Sequence, residues 1–336
     1  MFKEASEAAG CVQTQLKSNS SILADLATRL VNAQPAFVVT CARGSSDHAA
    51  TYAKYLIETR LGIPTLSAAP SISSVYGLKT RFAGALFLAI SQSGESPDIL
   101  SAASLARDAG ALTVALVNNL KSPLAQICDF TIALHAGIEQ SVPATKTFIC
   151  TLSAMAQLVE KWTGEQNLSH GLDRLPQNLQ NAYAHDWSEA VNVLKHTTNL
   201  FVVSRGLGYG IAQEAALKFK EVCGIHAESF SAAEVKHGPM ALVKPGFPVL
   251  IFSHQGKVQK SIDSVARMFL SRNAQIISVG KPYQGALNLP STSGPCEALW
   301  PILNIQSFYK FANALSLARG LNPDVPPYLN KITETV

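Results

Sequence analysis

The sequence predicts an α/β protein made of two related parallel-sheet domains. Three observations support this prediction: a length of 336 residues, short apolar runs that alternate with helical stretches, and a strand-turn-helix pattern that occurs twice. Chains of this length usually form two domains of about 150 residues each. Because 47% of the residues are hydrophobic and 15% are charged, there is enough apolar material for well-packed cores.

The first half of the chain alternates between strand-like and helix-like segments. Apolar runs of strand length occur at residues 37–39, 84–90, 113–117 and 131–134. Helical spacing of apolar residues occurs at 49–61 and 99–109, and a strong helix is expected from about 145 to 162. This alternation predicts a parallel sheet that helices cover on both faces.

A polar stretch at residues 163–171 interrupts the alternation, so we expect a domain boundary near 165–195. We divide the chain into a first domain with an N-terminal helix (residues 1–165), a linker helix (166–195), a second domain (196–320) and a C-terminal tail (321–336). Further strands are expected at 200–204, 247–252 and 274–279, and a long helix at 296–317. Three prolines in the tail exclude a regular helix, which predicts an extended segment lying over another part of the protein.

The opening of the first half recurs in the second half. FVVTCARGSSDHAATYAKYLIE at residues 37–58 parallels FVVSRGLGYGIAQEAALKFKE at 201–221. Each reads as a strand, a Gly-containing turn and a helix, and the two are separated by about the length of one domain. A duplicated α/β unit is the simplest explanation.

Composition and charge exclude several classes of protein. The longest apolar runs are far shorter than the roughly 20 residues that cross a bilayer, and the start MFKEASEAAG lacks the pattern of an export signal. The formal charge of +4 is not concentrated in one run, so nucleic-acid binding is not expected. The six cysteines are scattered without a C-x-x-C pair, which indicates neither a metal site nor a disulfide framework. We expect a cytoplasmic protein with reduced thiols.

The segment SQSGES, residues 91–96, directly follows an apolar run and directly precedes Pro97. In a parallel sheet, ligands bind where a strand ends and the next helix begins, and backbone N–H groups at a helix start attract anions. Gly94 allows a close backbone approach, and the neutral donors are Ser91, Gln92, Ser93 and Ser96. We interpret the segment as a phosphate cradle without lysine; the alternative is a helix cap, which needs only one serine.

Two other turns have similar chemistry. The turn Arg43-Gly44-Ser45-Ser46-Asp47-His48 bears hydroxyls at the end of the first strand, and the loop at residues 139–146, EQSVPATK, leads into a helix. The loop taken alone is also a capped helix start. Convergence of the three turns at one sheet edge is expected to close one pocket.

Charged residues in the second half are candidates for the chemistry. Glu214, Lys218 and Glu221 share one helix face at spacings i, i+4 and i+7. The alternative is a solvated stripe of ion pairs worth a few tenths of a kcal/mol each, whereas a carboxylate beside a lysine in a pocket is a suitable general base. His237 precedes a Gly-Pro break that holds it in place, although a lone histidine is often structural.

Taken in order, these motifs resemble a known family. SQSGES, ARGSSDHA, VPATKT, EAALKFKE…IHAESFSAAEVKHGP and the ending LNKITETV are similar to the isomerase portion of glucosamine-6-phosphate synthase, which has two sugar-isomerase (SIS) domains. The similarity extends from about residue 36 to residue 336. It implies tandem SIS domains, each a flavodoxin-like, doubly wound parallel sheet, with the tail over the active site.

The resemblance also implies roles for individual residues. The family binds the sugar phosphate through residues that match Ser45, Ser46, Ser91, Gln92, Ser93 and Ser96 here, and the VPATKT loop supplies sugar-side contacts that match Val142 and Ala144. The glutamate that moves a proton between C1 and C2 matches Glu221, with Glu214 and Lys218 nearby. The ring-opening histidine matches His237, which acts in the neighbouring subunit and implies a homodimer, and a tail lysine that reaches the sugar matches Lys331. No metal and no cofactor is implied.

The glutamine-hydrolysing domain of the synthase does not precede the SIS pair in this sequence. Without channelled ammonia we expect the reverse direction, as in the synthase-like deaminases. The predicted function is therefore a glucosamine-6-phosphate deaminase that yields fructose 6-phosphate and ammonia. The alternatives are a fructosamine-6-phosphate deglycase, a galactosamine-6-phosphate deaminase or isomerase and, in a different class, a non-catalytic sugar-phosphate sensor.

Overall fold

A computed structural model describes residues 1–253 and 255–331. The helices are α1 (Phe2–Ser18), α2 (Ser20–Ala33), α3 (Ser45–Leu61), α4 (Ser71–Ser74), α5 (Pro97–Asp108), α6 (Pro123–Ile127), α7 (Lys146–Thr163), α8 (Gln166–Ala184), α9 (Ser188–Leu194), α10 (Tyr209–Cys223), α11 (Gln259–Ser271) and α12 (Trp300–Ala318). The strands are β1 (Phe37–Cys41), β2 (Thr65–Ser67), β3 (Ala85–Ile90), β4 (Leu112–Val117), β5 (Phe130–Ala133), β6 (Asn199–Ser204), β7 (His226–Ser231), β8 (Pro248–Phe252), β9 (Gln275–Val279) and β10 (Leu287–Leu289).

The first sheet has five parallel strands in the order β2-β1-β3-β4-β5. All six residues of β3 are buried, as expected for the central strand of a sheet covered on both faces. Phe87 and Val39 pack against Ile99 and Ala103 of α5 in the core on one face of this sheet. The helix α7 is buried without interruption from Lys146 to Val159, as an apolar central helix should be.

The second sheet repeats the arrangement, with the order β7-β6-β8-β9-β10 and all neighbours parallel. The strands β6, β8 and β9 thus correspond to β1, β3 and β4 of the first sheet. The core on one face contains Val203, Ile251 and Phe269. This confirms the predicted α/β class with two sheets related by duplication.

The described chain forms two compact units. The first unit contains the first sheet and consists of Gly10–Glu139, Lys146–Asp173 and residues 330–331. The second unit contains the second sheet and consists of Met1–Ala9, Gln140–Thr145 and Arg174–Leu329. The loop at 140–145 therefore belongs to the second unit, although it lies between elements of the first.

The segment predicted as one linker helix forms two helices, α8 and α9. They are separated at residues 185–187, where the Asp186 carboxylate accepts hydrogen bonds from the backbone N–H and the hydroxyl of Ser188, at 2.9 and 3.1 Å, just before α9 begins. The long helix expected at 296–317 begins with a separate 3₁₀ turn, Glu297–Leu299, before α12. Within the described residues, no helix has the length and apolarity to cross a bilayer.

Candidate active site

The SQSGES turn joins β3 to α5 in the first unit. The Ser91 Oγ accepts a hydrogen bond from the Gly94 N–H at 3.1 Å, and the Ser93 Oγ accepts one from the Glu95 N–H at 3.3 Å. A hydroxyl that accepts a bond can still donate its own proton, so both are oriented donors. Ser96 occupies the N-cap position of α5, but its side chain makes no capping hydrogen bond. The helix-cap alternative therefore does not account for these serines.

Gly94 is required by the shape of this turn. Its φ of 69° lies in the left-handed region, and a Cβ at this position would come within 2.3 Å of the Ser122 Oγ and 2.6 Å of the Ser122 Cβ. Ser122 is itself tied down, because its hydroxyl accepts a bond from the Ala125 N–H at the start of α6. The SQSGES turn consequently packs against the connection between β4 and α6, which contains Ser122.

The Gly94→Ala variant tests this packing. We expect a loss of about 1–3 kcal/mol of stability from the positive φ. If the turn binds a sugar phosphate, as the sequence analysis predicts, the displaced Ser122 also moves the serine turn and lowers the affinity for fructose 6-phosphate. Gly84→Ala is the matched control: it has a φ of 76° but nothing within 4 Å of a Cβ. Calorimetric titration and thermal unfolding of both variants measure the difference. Equal sugar-phosphate affinities in the two variants would contradict the prediction.

The turn after β1 lies at the same sheet edge as SQSGES. The strands β1 and β3 are parallel neighbours with Cys41 opposite Ala89, so the turns that follow them are adjacent. Gly44, with a φ of 52°, precedes α3, and Ser45 and Ser46 form its first turn. Both serines are half-buried. Two of the three predicted turns therefore meet within the first unit.

Arg43 and Asp98 form an ion pair that the sequence interpretation missed. The Nε and Nη2 atoms of Arg43 lie 2.9 and 2.7 Å from one Asp98 oxygen. The Asp98 side chain is fully buried in the first turn of α5, whereas that of Arg43 is about half exposed (48%). The pair fixes a guanidinium beside the serine turn, which thus has a cation without a lysine.

The loop EQSVPATK divides between the units. Glu139 belongs to the first unit, where its fully buried carboxylate accepts bonds from the Thr147 hydroxyl at 2.7 Å and from the Lys331 Nζ at 2.9 Å. The role of Glu139 in holding the tail lysine was not predicted, because 192 residues separate them. The remaining tail residues, 332–336, lie outside the described residues.

Val142 and Ala144 belong to the second unit and are half-buried. The Val142 N–H donates to the Asp324 carbonyl at 3.0 Å, and the Ser141 hydroxyl donates to the Asp324 carboxylate at 2.8 Å. The backbone N–H of Ser141 also donates to Glu4 at 3.1 Å. The predicted sugar-side loop is thus tied both to the tail and to α1.

The charged face of α10 is buried. Lys218 is fully buried, and its Nζ lies 3.3 Å from Glu214 and 2.5 Å from Glu221. The hydroxyl of Tyr309, on α12, donates to Glu214 at 3.2 Å. Burial by itself would lower the pKa of Lys218, but the two carboxylates outweigh it and raise that pKa. The solvated-stripe alternative is therefore wrong.

Glu221 is the member of this cluster that faces open space. Its side chain is 20% exposed, against 0% for Glu214. It lines a cleft of about 500 Å³ together with the tail residues Pro326, Pro327 and Tyr328. The tail is therefore extended over the C-terminal part of α10. A carboxylate held by a buried lysine at the wall of a cleft is suited to proton transfer.

His237 lies at the surface of the second unit. It follows the 3₁₀ turn Glu234–Lys236, and its N–H donates to the Glu234 carbonyl at 2.9 Å. Gly238, with a φ of 125°, turns the chain immediately afterwards. The exposed position distinguishes His237 from a core histidine. Its expected action in a neighbouring subunit stays a prediction.

Comparison with known proteins identifies the family. The profile of the SIS domain matches residues 33–161 and 194–287, which together are well over half of the chain. The chain belongs to the SIS domain family. The first matched segment contains the whole first sheet, and the second contains β6 to β9 and the first residue of β10. The resemblance expected from the motifs of this SIS protein is confirmed.

Individual relatives of this SIS protein are informative to different degrees. It is 32% identical over 347 aligned positions to the isomerizing glutamine-fructose-6-phosphate aminotransferase of Aquifex aeolicus, which covers 98% of this chain and 57% of that protein. The chain thus spans little more than half the length of this relative. A candidate phosphosugar isomerase of Silicibacter pomeroyi DSS-3 superposes with a TM-score of 0.93 at 40% identity, covering 96% of this chain and 99% of that one.

A glucosamine-6-phosphate deaminase of Thermotoga maritima also has this fold. Its TM-score is 0.72 at 20% identity, with 97% of this chain and all of that chain covered. At this identity the likeness concerns the fold alone.

Proposed function

We propose that this SIS protein is a glucosamine-6-phosphate deaminase, which converts glucosamine 6-phosphate and water to fructose 6-phosphate and ammonia. The observation that carries the proposal is the Glu214-Lys218-Glu221 cluster, in which a buried lysine holds one partly exposed carboxylate in place. A protein that only binds sugar phosphates has no need of a buried charge cluster beside a cleft. The 32% identical relative from Aquifex aeolicus, whose name is that of an aminotransferase of fructose 6-phosphate, supports the choice of substrate class.

Phosphate recognition is assigned to the turns of the first unit. The hydroxyls of Ser91 and Ser93 are already oriented by backbone N–H groups, and Ser96, Gln92 and Ser46 add further donors at the same sheet edge. The start of α5 contributes the positive end of its dipole. The Arg43 guanidinium adds a positive charge that favours the doubly charged phosphate.

Proton transfer is assigned to Glu221. In the open-chain aldehyde, Glu221 removes the proton from C2 and returns it at C1, while the C1 oxygen gains a proton and the C2 amine loses one, which gives the C2 imine of fructose 6-phosphate. Water adds to this imine, and ammonia leaves from C2 as the ketone forms. Lys218 holds the Glu221 carboxylate in position at 2.5 Å and stabilises its charge between transfers.

Ring opening is assigned to His237 and Lys331. His237 is exposed, as a residue that serves a neighbouring subunit must be, and we propose a homodimer in which it does so. Lys331 is oriented by its bond to the buried Glu139. Both are suited to protonate or polarise the ring oxygen and the oxygen at C1.

An assay of ammonia release from a panel of amino-sugar phosphates tests the proposal. We expect release from glucosamine 6-phosphate, with formation of one fructose 6-phosphate per ammonia. Faster release from galactosamine 6-phosphate or fructosamine 6-phosphate would identify that compound as the substrate instead. Tight binding without turnover of any compound in the panel would contradict an enzyme and favour a sensor.

A second candidate is an aldose-ketose isomerase of unaminated sugar phosphates. The 40% identity to a candidate phosphosugar isomerase favours it. The two functions differ in whether a group leaves C2. The isomerase needs only the proton transfer, whereas the deaminase also needs water to add to an imine so that ammonia can leave. Conversion of glucose 6-phosphate to fructose 6-phosphate faster than ammonia release would select the isomerase.

A further inference from the structure

A polar cavity in the second unit lies apart from the residues discussed so far. It has a volume of about 430 Å³, within the range of roughly 300–1,000 Å³ that small-molecule sites occupy. Its walls come from the segments that follow β8, β9 and β10 and from the start of α12. The lining residues that matter here are Ser253, Gln259, Lys281, Ser291, Trp300 and Asn304.

The position of the cavity in the sheet is that of a ligand site. It opens at the carboxyl ends of β8 and β9, which correspond to β3 and β4 of the first sheet. The equivalent edge of the first sheet carries the SQSGES turn. Because ligands of parallel α/β sheets bind at these strand ends, the duplication places a second potential site here.

Asn304 supplies a side-chain amide at the cavity wall. The residue is 6% exposed and lines the cavity. An amide carries an acceptor and two donors, so it can both donate to and accept from a hydroxyl group of a ligand in the cavity.

Lys281 supplies a fixed positive charge at the cavity wall. Its Nζ lies 2.7 Å from Asp263, which also accepts from the Gln259 amide at 2.7 Å and from the Tyr283 hydroxyl at 2.8 Å. The Lys281 side chain remains 40% exposed, and an ammonium has protons beyond the one given to Asp263. It is therefore oriented to bind an anionic oxygen.

Trp300 supplies the apolar part of the wall. Its indole N–H donates to the Gly294 carbonyl at 2.9 Å, which holds the ring in place. An aromatic ring with one polar end satisfied presents an apolar face to a flat ligand. Together with the amides and hydroxyls around it, this face matches a sugar ring.

We propose that this cavity is a second ligand site and that it binds a phosphorylated sugar. The sugar hydroxyls bond to Asn304 and Ser291, the ring lies on Trp300, and the phosphate bonds to Lys281. None of the residues that line the cavity belongs to the Glu214-Lys218-Glu221 cluster or to the SQSGES turn. Its existence does not depend on the deaminase activity proposed above.

Calorimetric titration of the full chain with methyl glucopyranoside 6-phosphate tests the proposal. This probe carries a locked ring, so it is bound but not turned over. We expect two equivalents per chain in the unaltered protein and one in the Ser91→Ala/Ser93→Ala variant. Lys281→Gln and Asn304→Leu are each expected to weaken the binding of the probe in the cavity by about tenfold or more. Lys260→Gln, which removes an exposed lysine of α11, is the matched control and retains both.

Several outcomes would overturn the second site. These are a single equivalent in the unaltered protein that the Ser91→Ala/Ser93→Ala variant abolishes, or unchanged binding in both Lys281→Gln and Asn304→Leu. Inorganic phosphate that competes at this site with the same affinity as the probe would reject the sugar part of the proposal. Absence of ammonia release would reject the deaminase but leave the titration unaffected, so the two proposals fail separately.

Discussion

Replacement of Glu221 by glutamine is expected to lower turnover by about 10²–10⁴-fold, the contribution typical of a general base. The amide keeps the size of the side chain and can still bond to Lys218, but it does not accept the C2 proton. Sugar-phosphate affinity should change little, because the phosphate is assigned to the turns of the first unit. Steady-state kinetics of ammonia release together with titration of fructose 6-phosphate measure the two effects.

The matched control for this substitution is Glu228→Gln. Glu228 is an exposed glutamate on β7 of the same unit. The same change of charge at this position should leave turnover unaltered. Full activity of Glu221→Gln, or an equal loss in both variants, would reject Glu221 as the base.

Replacement of Lys218 by methionine is expected to lower the free energy of unfolding by about 3–5 kcal/mol, the cost of breaking a buried ion pair. The Glu214 carboxylate would remain fully buried with Tyr309 but without its cation. Lys220→Met is the control: this lysine is exposed on the same helix, and its loss should change stability by no more than about 0.5 kcal/mol. Urea unfolding followed by circular dichroism measures both variants, and equal midpoints would contradict the buried cluster.

The pH dependence of this stability follows from the raised pKa of Lys218. The ordinary pKa of lysine is 10.5, and the folded protein holds that of Lys218 above it. The stabilisation is therefore fully present below about pH 10.5 and is lost as the pH rises through the folded-state pKa. We expect the difference between the unaltered protein and Lys218→Met to be constant from pH 7 to 10 and to shrink at higher pH. A stability difference that becomes smaller as the pH is lowered towards 7 would contradict this prediction.

Short-range features of the sequence predicted much of the fold and part of the site. The run at 84–90 becomes β3, and the SQSGES turn stands between that strand and α5 as expected. Strand and helix periods and turn residues are local properties, so they can be recognised without contacts. The parallel between 37–58 and 201–221 also predicted a duplicated α/β unit, which agrees with the shared strand order of the two sheets.

Long-range partners were not predictable in the same way. Arg43 and Asp98 are 55 residues apart, and each looks ordinary in its own segment, as a turn residue and as an acidic residue in the first turn of a helix. The cavity at Asn304 and Lys281 is similar, since its residues come from separate loops that meet only when the second sheet forms. The spacing of residues along the chain does not indicate such contacts.

By itself, the sequence determined the α/β architecture, the duplication and the positions of the hydroxyl-rich turns, because strand and helix periods and turn chemistry act between near neighbours. Only the tertiary structure decided that Glu214 and Lys218 are buried while Glu221 remains partly open. The physical reason is that α12, about 100 residues further along the chain, covers the Glu214 end of this α10 face, whereas the Glu221 end lies at a cleft that the tail also lines. Burial, and with it the strength of each charge interaction, depends on what packs against a helix and not on the helix alone.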